Sequence, residues 1–398
     1  MCQTNQMTEN GLPANILVVD DEPDLELLIK QKFRKKVKNN EFNFTFANNG
    51  LEALNRIQED KEIDIVLTDI NMPEMDGLTL VSKLTEQYPT LRSVIVSAYG
   101  DMGNIRKALN FGAFDFITKP INFEDLEITI DKTIQEVSGL KEAEDNRQKL
   151  TKIQDELNIA YQIQSSMVPR VFPPYPDRNE FDIFAKMYPA KNVGGDFYDF
   201  FLIDPYHLYF LIGDVSGKGV PAALFMAMSR TLIKATAMRG IPPDVCLAEV
   251  NKLLSLDNES SMFVTVFAGV LNTFTGEVIY CNGGHNLPYI IKNSGEVLSI
   301  ENTNGVALAF MNEENLYSSK SYNLSPGDKI FLYTDGVTEA TDSDDFFFTD
   351  ERLEKFLNDH KQDSITDLVN KTVEEVYSYS TGTTQSDDIT ALCVQYMK

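Results

Sequence analysis

From Ile16 onward, short continuous apolar runs alternate with helical stretches: ILVVD, a helix, FNFTFA, a helix, IDIVLTD, a helix, SVIVSA, a helix and FDFIT. Such runs lack polar alternation, so they read as strands buried on both faces, and their alternation with helices predicts a parallel sheet covered on both sides. The pattern describes a doubly wound α/β domain, in which functional groups gather beyond the carboxyl ends of the strands.

The polar residues at those ends carry the chemistry. Asp20 and Asp21 end the first strand, Asp69 the third and Ser97 the fourth, and Lys119 follows the fifth. Three carboxylates at one edge repel each other unless a hard cation such as Mg²⁺ joins them, and they supply the oxygen ligands that cation prefers. Beside such a cation the Asp69 carboxylate can attack phosphorus, with Lys119 and the Ser97 hydroxyl binding the phosphoryl oxygens. One aspartate at a strand end is commonly a helix cap. Capping does not explain five suitable groups on four strand ends.

With LVVDDE, LTDINMPEMDG, SAYG and ITKP all in place, the segment 15–139 resembles a response-regulator receiver domain. The resemblance implies that Asp69 is the phosphoacceptor and that Asp20, Asp21 and the Asn71 carbonyl help place Mg²⁺. It also implies that Ser97 and Phe116 form the conformational switch, although Phe116 equally fits plain core packing on the last strand. A sensor histidine kinase is the implied upstream partner.

Between Leu126 and Met167 turn residues are nearly absent, and apolar residues recur at helical spacing. Leu150, Ile153, Leu157, Ala160 and Met167 largely keep the alternating three- and four-residue steps of a coiled-coil seam, while Gly139 and the charged KEAEDNRQK stretch interrupt the phase. The segment 140–170 is therefore expected to be a helical linker that supports a homodimer. The alternative is a helix packed on its own domain. The run VPRVFPPYPD stops it, because proline cannot continue a helix.

After Pro176 the grammar changes. FDIFAKMY, GGDFYDFFLI, HLYFLIGDV, FVTVFAGVL, GEVIYCN, KIFLYT and DITALCVQY read as strands, many joined by short Gly, Asn or Asp turns, and helical patterns are segregated from them. That arrangement indicates an α+β domain of two sheets with helices outside, over 171–398. Its acidic motifs are GGDFYD with Asp196 and Asp199, IGDVSGKG with Asp214, YTDGVTEA with Asp335, and QSDDIT with Asp387 and Asp388. Carboxylates from separate strands can hold two hard divalent ions that jointly activate a bridging water for in-line displacement at phosphorus. Gly195 and Gly213 leave room for backbone approach to such ions.

From about Ile159 onward, AYQIQSSMVP, GGDFYD, GDVSGKGVPAAL, NGGHNLP, YTDGVTEA and SDDIT occur in that order. The segment resembles the metal-dependent type 2C (PPM) serine/threonine phosphatases, in particular the SpoIIE/RsbU-like branch. The resemblance implies a β-sandwich between helical layers and two Mn²⁺ or Mg²⁺ ions. Asp196, Asp214 and the Val215 carbonyl would hold one ion, and Asp214, Asp335 and Asp387 the other. It implies a phosphorylated STAS-type anti-sigma-factor antagonist as substrate. In this reading Asp199 and Asp388 do not touch the ions, and either support the ligands from behind or are solvated. His285 is either a proton donor to the leaving group or a loop histidine bonded to backbone, and Lys218 either approaches phosphate or faces water.

Three other readings compete. GGDFYD superficially resembles the GGDEF signature of diguanylate cyclases, without their nucleotide-binding surround. A non-catalytic module that captures a signalling partner under receiver control is the main alternative, opposed by the cost of clustering carboxylates without ions. A DNA-binding regulator lacks a basic recognition helix, and 60 Asp plus Glu against 35 Lys plus Arg, a formal charge of -25, disfavours nucleic acid. Cys2, Cys246, Cys281 and Cys393 form no CxxC pair, as expected of reduced thiols. With no membrane-length apolar run and a polar start, the expectation is a cytoplasmic protein with no membrane partner.

Overall fold

A computed structural model describes residues 13–98, 101–256, 258–311 and 313–398. Cys2 and the Tyr99 and Gly100 of the SAYG motif lie outside the described residues. The chain divides into two compact units, 1–152 and 153–398.

The first unit contains β1 (Ala14–Val19), α1 (Pro23–Lys32), α2 (Arg34–Lys38), β2 (Phe42–Ala47), α3 (Gly50–Glu59), β3 (Ile65–Asp69), α4 (Gly77–Gln87), β4 (Arg92–Ala98), α5 (Met102–Asn110) and β5 (Asp115–Lys119). The strands form one parallel sheet of order β2-β1-β3-β4-β5, the doubly wound arrangement expected from the sequence. Ile16, Leu17, Val18 and Val19 are all buried because successive side chains point to opposite faces and both faces are covered. Each such burial stabilises by roughly 1.5–3 kcal/mol. Local chemistry starts the helices: the Asn49 side chain accepts from the Glu52 N–H ahead of α3, and Asp76 from the Thr79 N–H ahead of α4.

Helix α6 (Phe123–Met167) is continuous through Gly139 and the charged stretch, so the phase interruption seen in the sequence does not break it. The segment 140–170 lies within this helix up to Met167. Leu126, Ile130 and Val137 bury in the core of the first unit, whereas Leu150 and Ile153 are exposed.

The second unit comprises β6 (Phe181–Tyr188), β7 (Phe197–Asp204), β8 (His207–Val215), α7 (Val220–Ala237), α8 (Pro243–Ser255), β9 (Val264–Asn272), β10 (Glu277–Gly283), β11 (Tyr289–Ile291), β12 (Val297–Ser299), β13 (Lys320–Asn323), β14 (Lys329–Tyr333), α9 (Asp335–Thr338), α10 (Asp350–Asp359), α11 (Ile365–Tyr379) and β15 (Ile389–Tyr396). Two antiparallel sheets result, ordered β13-β10-β9-β8-β7 and β12-β11-β14-β15-β6. Helices α7 and α8 cover the first sheet, and α11 packs on β6 and β15 of the second. Along β15 the alternation is explicit. Leu392, Val394 and Tyr396 enter the main core with the first sheet, while Ile389, Ala391 and Cys393 face the core formed with α10 and α11. Among the described residues no helix is long and apolar enough to cross a membrane, and Cys246, Cys281 and Cys393 are buried free thiols.

Candidate active sites

At the carboxyl edge of the first sheet, parallel pairing sets Asp69 opposite Val96 and Ala98 opposite Lys119, and so brings β3, β4 and β5 to one point. Lys119 Nζ donates to Asp20 Oδ2 at 2.9 Å and to Asp69 Oδ2 at 3.1 Å, bridging the two predicted acids. One oxygen from each of Asp20, Asp21 and Asp69 lies within 4.8 Å of the others. Burial raises the Asp20 carboxyl above its usual range despite Lys119, and although burial works against it, Asp20 holds the Lys119 ammonium above its ordinary value. Two acids pulled together in a half-dry edge, with an all-oxygen donor set, fit a hard divalent cation.

The second Asp69 oxygen is occupied by the Ile70 N–H at 2.7 Å, which leaves Oδ2 as the atom turned to Lys119. Ser97 is buried and its hydroxyl has no hydrogen-bond partner, an unusual state for a hydroxyl and one that a phosphoryl oxygen would relieve. Phe116 is half-buried against the Ile70, Val81 and Ile95 cluster, and Asn71 is exposed.

The second site stands where the two sheets of the sandwich meet. Asp196 precedes β7, Asp214 lies on β8, Asp335 opens α9 directly after β14, and Asp387 and Asp388 precede β15. Asp196 Oδ2 accepts from the hydroxyls of Thr334 at 2.7 Å and Thr390 at 2.5 Å, so two side chains of one sheet grip an acid of the other. Burial first, then the Asp214 charge, drives Asp196 well above the carboxylate range, and burial plus Asp335 raises Asp214. Asp335 is pushed up to about 6 by burial and by Asp387. Mutual repulsion of buried oxygens is an electrostatic deficit that divalent cations relieve, and the donors suit Mg²⁺ or Mn²⁺.

A Cβ on Gly195 would stand 2.7 Å from the Val215 carbonyl oxygen and 3.4 Å from Asp214 Oδ1, so glycine there keeps both open. Gly213 serves a different purpose from the one expected: a Cβ would strike the Phe197 ring at 2.7 Å, so the residue is small for core packing. These carboxylates are set more openly than the trio of the first unit. Lys218 stays exposed at the rim while its Nζ donates to Asp387 Oδ2 at 2.9 Å and to the Ser386 carbonyl.

Neither Asp199 nor Asp388 is solvated. Asp199 is fully buried and pairs with Arg230 Nη2 at 2.7 Å and Lys234 Nζ at 3.1 Å, tying β7 to α7. Asp388 accepts from the N–H groups of Gly195, Asp196 and Ala190 and shapes the loop that carries Asp196. His285 is buried, with Nδ1 2.8 Å from the Thr265 hydroxyl and Nε2 3.1 Å from the Tyr333 carbonyl; burial lowers it to about 4, so it is a neutral framework group. Sequence reasoning missed Gln164, whose amide makes a reciprocal pair with Gly194, donating to its carbonyl at 2.6 Å and accepting from its N–H at 3.2 Å. Its only sequence signal is a place in AYQIQSSMVP, ahead of the proline stop.

A parallel sheet with an aspartate–lysine centre at its carboxyl edge, followed by a two-sheet sandwich with aspartates at its rim, defines a signal-receiving domain joined to a PP2C-like domain. Residues 16–131 match the response regulator receiver domain, and residues 204–397 match Stage II sporulation protein E (SpoIIE). The matches show a response-regulator receiver domain followed by a SpoIIE-type PPM domain. It is 31% identical over 268 residues to Protein IcfG of Synechocystis sp., an alignment that takes in 60% of this chain and 41% of that protein. Against Phosphoserine phosphatase RsbU of Bacillus subtilis it is 28% identical over 247 residues, 62% of this chain and 73% of that one. The chain thus spans less than half of the first of these relatives. The SiaA-PP2C domain of Pseudomonas aeruginosa shares the fold, with a TM-score of 0.54, 22% identity and coverage of 62% of this chain and 98% of that domain.

Proposed function

We propose that the chain is a two-component response regulator whose output is metal-dependent serine/threonine protein phosphatase activity, controlled by phosphorylation of Asp69. The observation that carries this reading is the gathering of buried Asp196 with half-buried Asp214 and Asp335, each raised by desolvation and by a neighbouring carboxylate, in and beside the region matching SpoIIE. Clustered acids are costly in a mere capture surface, which disfavours the non-catalytic alternative.

In the receiver, Asp69 Oδ2 is the nucleophile toward a phosphohistidine kinase or a small phosphodonor, Lys119 and Ser97 bind the transferred phosphoryl oxygens, and Phe116 repacks with Ser97. Asp20, Asp21, Asp69 and the Asn71 carbonyl would hold Mg²⁺. In the phosphatase, Asp196, Asp214 and the Val215 carbonyl would hold one Mn²⁺ or Mg²⁺, and Asp214, Asp335 and Asp387 the second. Bound there, the cations supply Lewis-acid polarisation and a nucleophilic water. Thr334 and Thr390 fix the orientation of Asp196, Asp388 fixes its backbone, and Lys218 balances Asp387.

The substrate in this reading is a phosphoserine- or phosphothreonine-bearing STAS-type anti-sigma-factor antagonist, supported by similarity to RsbU. The exposed Leu150 and Ile153 of α6 support a homodimer through that helix, and the setting is the cytoplasm. The test is phosphate release from a phosphorylated STAS protein by the full chain with Mn²⁺, with and without a phosphodonor. Phosphodonor-dependent hydrolysis is expected, and no hydrolysis in either state overturns the reading.

A further inference from the structure

Between α9 and α10 the chain makes a short loop, 341–349, that shows two phenylalanines to water. Phe346 is 68% exposed and Phe347 55%, while the adjacent Phe348 is buried and packs its ring 5.3 Å from that of Tyr379. Isolated apolar side chains on a surface mean little. This pair differs, because the loop beneath it is built to hold one shape.

Its base is closed by the Phe348 N–H to the Ala340 carbonyl and the Thr349 N–H to the Thr338 carbonyl, both at 2.8 Å. Asp342 Oδ1 accepts from the N–H groups of Asp344 and Phe346. The Tyr379 hydroxyl stands 3.0 Å from the Phe346 carbonyl and 3.1 Å from that of Phe347. Asp345 and Thr349 adopt left-handed backbone with φ of 63° and 71°. For a β-branched residue such as Thr349 that conformation is strained, at a cost of about 1–3 kcal/mol. The fold thus keeps a strained loop, its backbone held by several hydrogen bonds, whose product is two adjacent aromatic side chains in solvent, a patch of the kind that marks a protein interaction site.

Position and charge identify the occupant. The loop base begins five residues after Asp335, and the Thr383 hydroxyl, just ahead of Asp387, donates to the Thr341 carbonyl at 3.0 Å. Segments carrying two of the site aspartates therefore buttress it. Asp342, Asp344 and Asp345 precede the phenylalanines and Asp350 follows them in the chain, so the loop is net negative even with the Arg352 guanidinium over the Tyr379 ring at 4.7 Å. We propose that Phe346 and Phe347 form a docking anchor for the phosphoprotein substrate, engaging an apolar patch rimmed by Lys or Arg beside the phosphorylated residue. This rests on the phosphatase reading and adds how that activity selects a folded protein over a small phosphate ester.

The test compares the full chain with the Phe346→Ala/Phe347→Ala variant, with Mn²⁺, on a phosphorylated STAS protein and on p-nitrophenyl phosphate. The expected result is a KM for the phosphoprotein raised about tenfold with kcat kept, and an unchanged rate on the aryl ester. Equal loss on both substrates, or no loss on either, overturns the docking role while leaving the phosphatase reading intact. A wild-type chain that hydrolyses neither substrate overturns both. A fall in oligomeric mass in the variant assigns the pair to contact between copies and also overturns it. Because both side chains are exposed, the variant is expected to keep its melting temperature. Asp344→Lys, which reverses one charge of the rim, is expected to raise the same KM.

Discussion

One carboxylate oxygen of Asp388 accepts the backbone N–H of Asp196 at 3.2 Å and that of Gly195 at 2.7 Å, so the residue leading into β15 sets the backbone that leads into β7 of the other sheet. The other oxygen takes the Ala190 N–H at 2.8 Å. Asp388→Ala leaves these donors without partners, each at about 1–3 kcal/mol. The expected loss is about 3 kcal/mol or more in the urea transition of the second unit. A loss under about 1 kcal/mol would refute this role.

Asp69→Ala should leave basal phosphate release unchanged and remove the response to a phosphodonor, because it deletes the carboxylate at the end of β3 whose Oδ2 Lys119 holds beside Asp20. A surviving response would place control elsewhere. Gln164→Leu should shrink the ratio of stimulated to basal rate without reducing phosphorylation of Asp69, since it removes the amide pair between α6 and Gly194. An unchanged ratio eliminates α6 as the route at this residue.

Asp214→Asn removes a carboxylate assigned to both ions, and phosphate release should drop by at least about a hundredfold. Thr334→Val and Thr390→Val keep shape but delete a donor to Asp196, so Mn²⁺ affinity measured by calorimetry should weaken about 10–100-fold, with Ser restoring it. Tight Mn²⁺ binding by both valine variants would show that the hydroxyls do not orient Asp196.

His285 gives the second unit an acid sensitivity. Burial lowers it from 6.5 to about 4, so between those values the unfolded chain binds a proton that the folded chain refuses. Its stability contribution is full above about 6.5 and declines as pH falls toward 4, by about 1.4 kcal/mol per pH unit. Urea midpoints measured across that window should fall more steeply for wild type than for His285→Gln. Parallel slopes would mean that the imidazole titrates normally in the fold.

The strands of the first unit were legible because each is a continuous apolar run ended by a chemically telling residue, as ILVV is by Asp20. In the second unit the long strands were equally plain, but β11, β12 and β13 have three or four residues and too little pattern to read. The acidic motifs could be found because each sits at a strand edge with small residues around it. Partners were not legible: nothing local in GGDFYD says that Asp199 meets Arg230 and Lys234, or that Asp196 is held by Thr334 and Thr390. Those contacts join positions far apart in sequence, and only the stacking of the two sheets creates them. Gly139 interrupts the heptad phase without ending α6, since one glycine costs a helix only about 1 kcal/mol, which the flanking turns absorb.

Among the described residues strand β6 pairs only with β15, and β15 also pairs with β14 in the interior of its sheet. On the ribosome, β6 therefore emerges some two hundred residues before its hydrogen-bonding neighbour, a long non-local wait of the kind that slows folding. The same late segment delivers Asp387 and Asp388. A nascent chain can complete its parallel-sheet unit while the acids that surround Asp196 are still apart, so synthesis itself imposes an order in which the aspartate–lysine centre precedes the carboxylate cluster of the second unit.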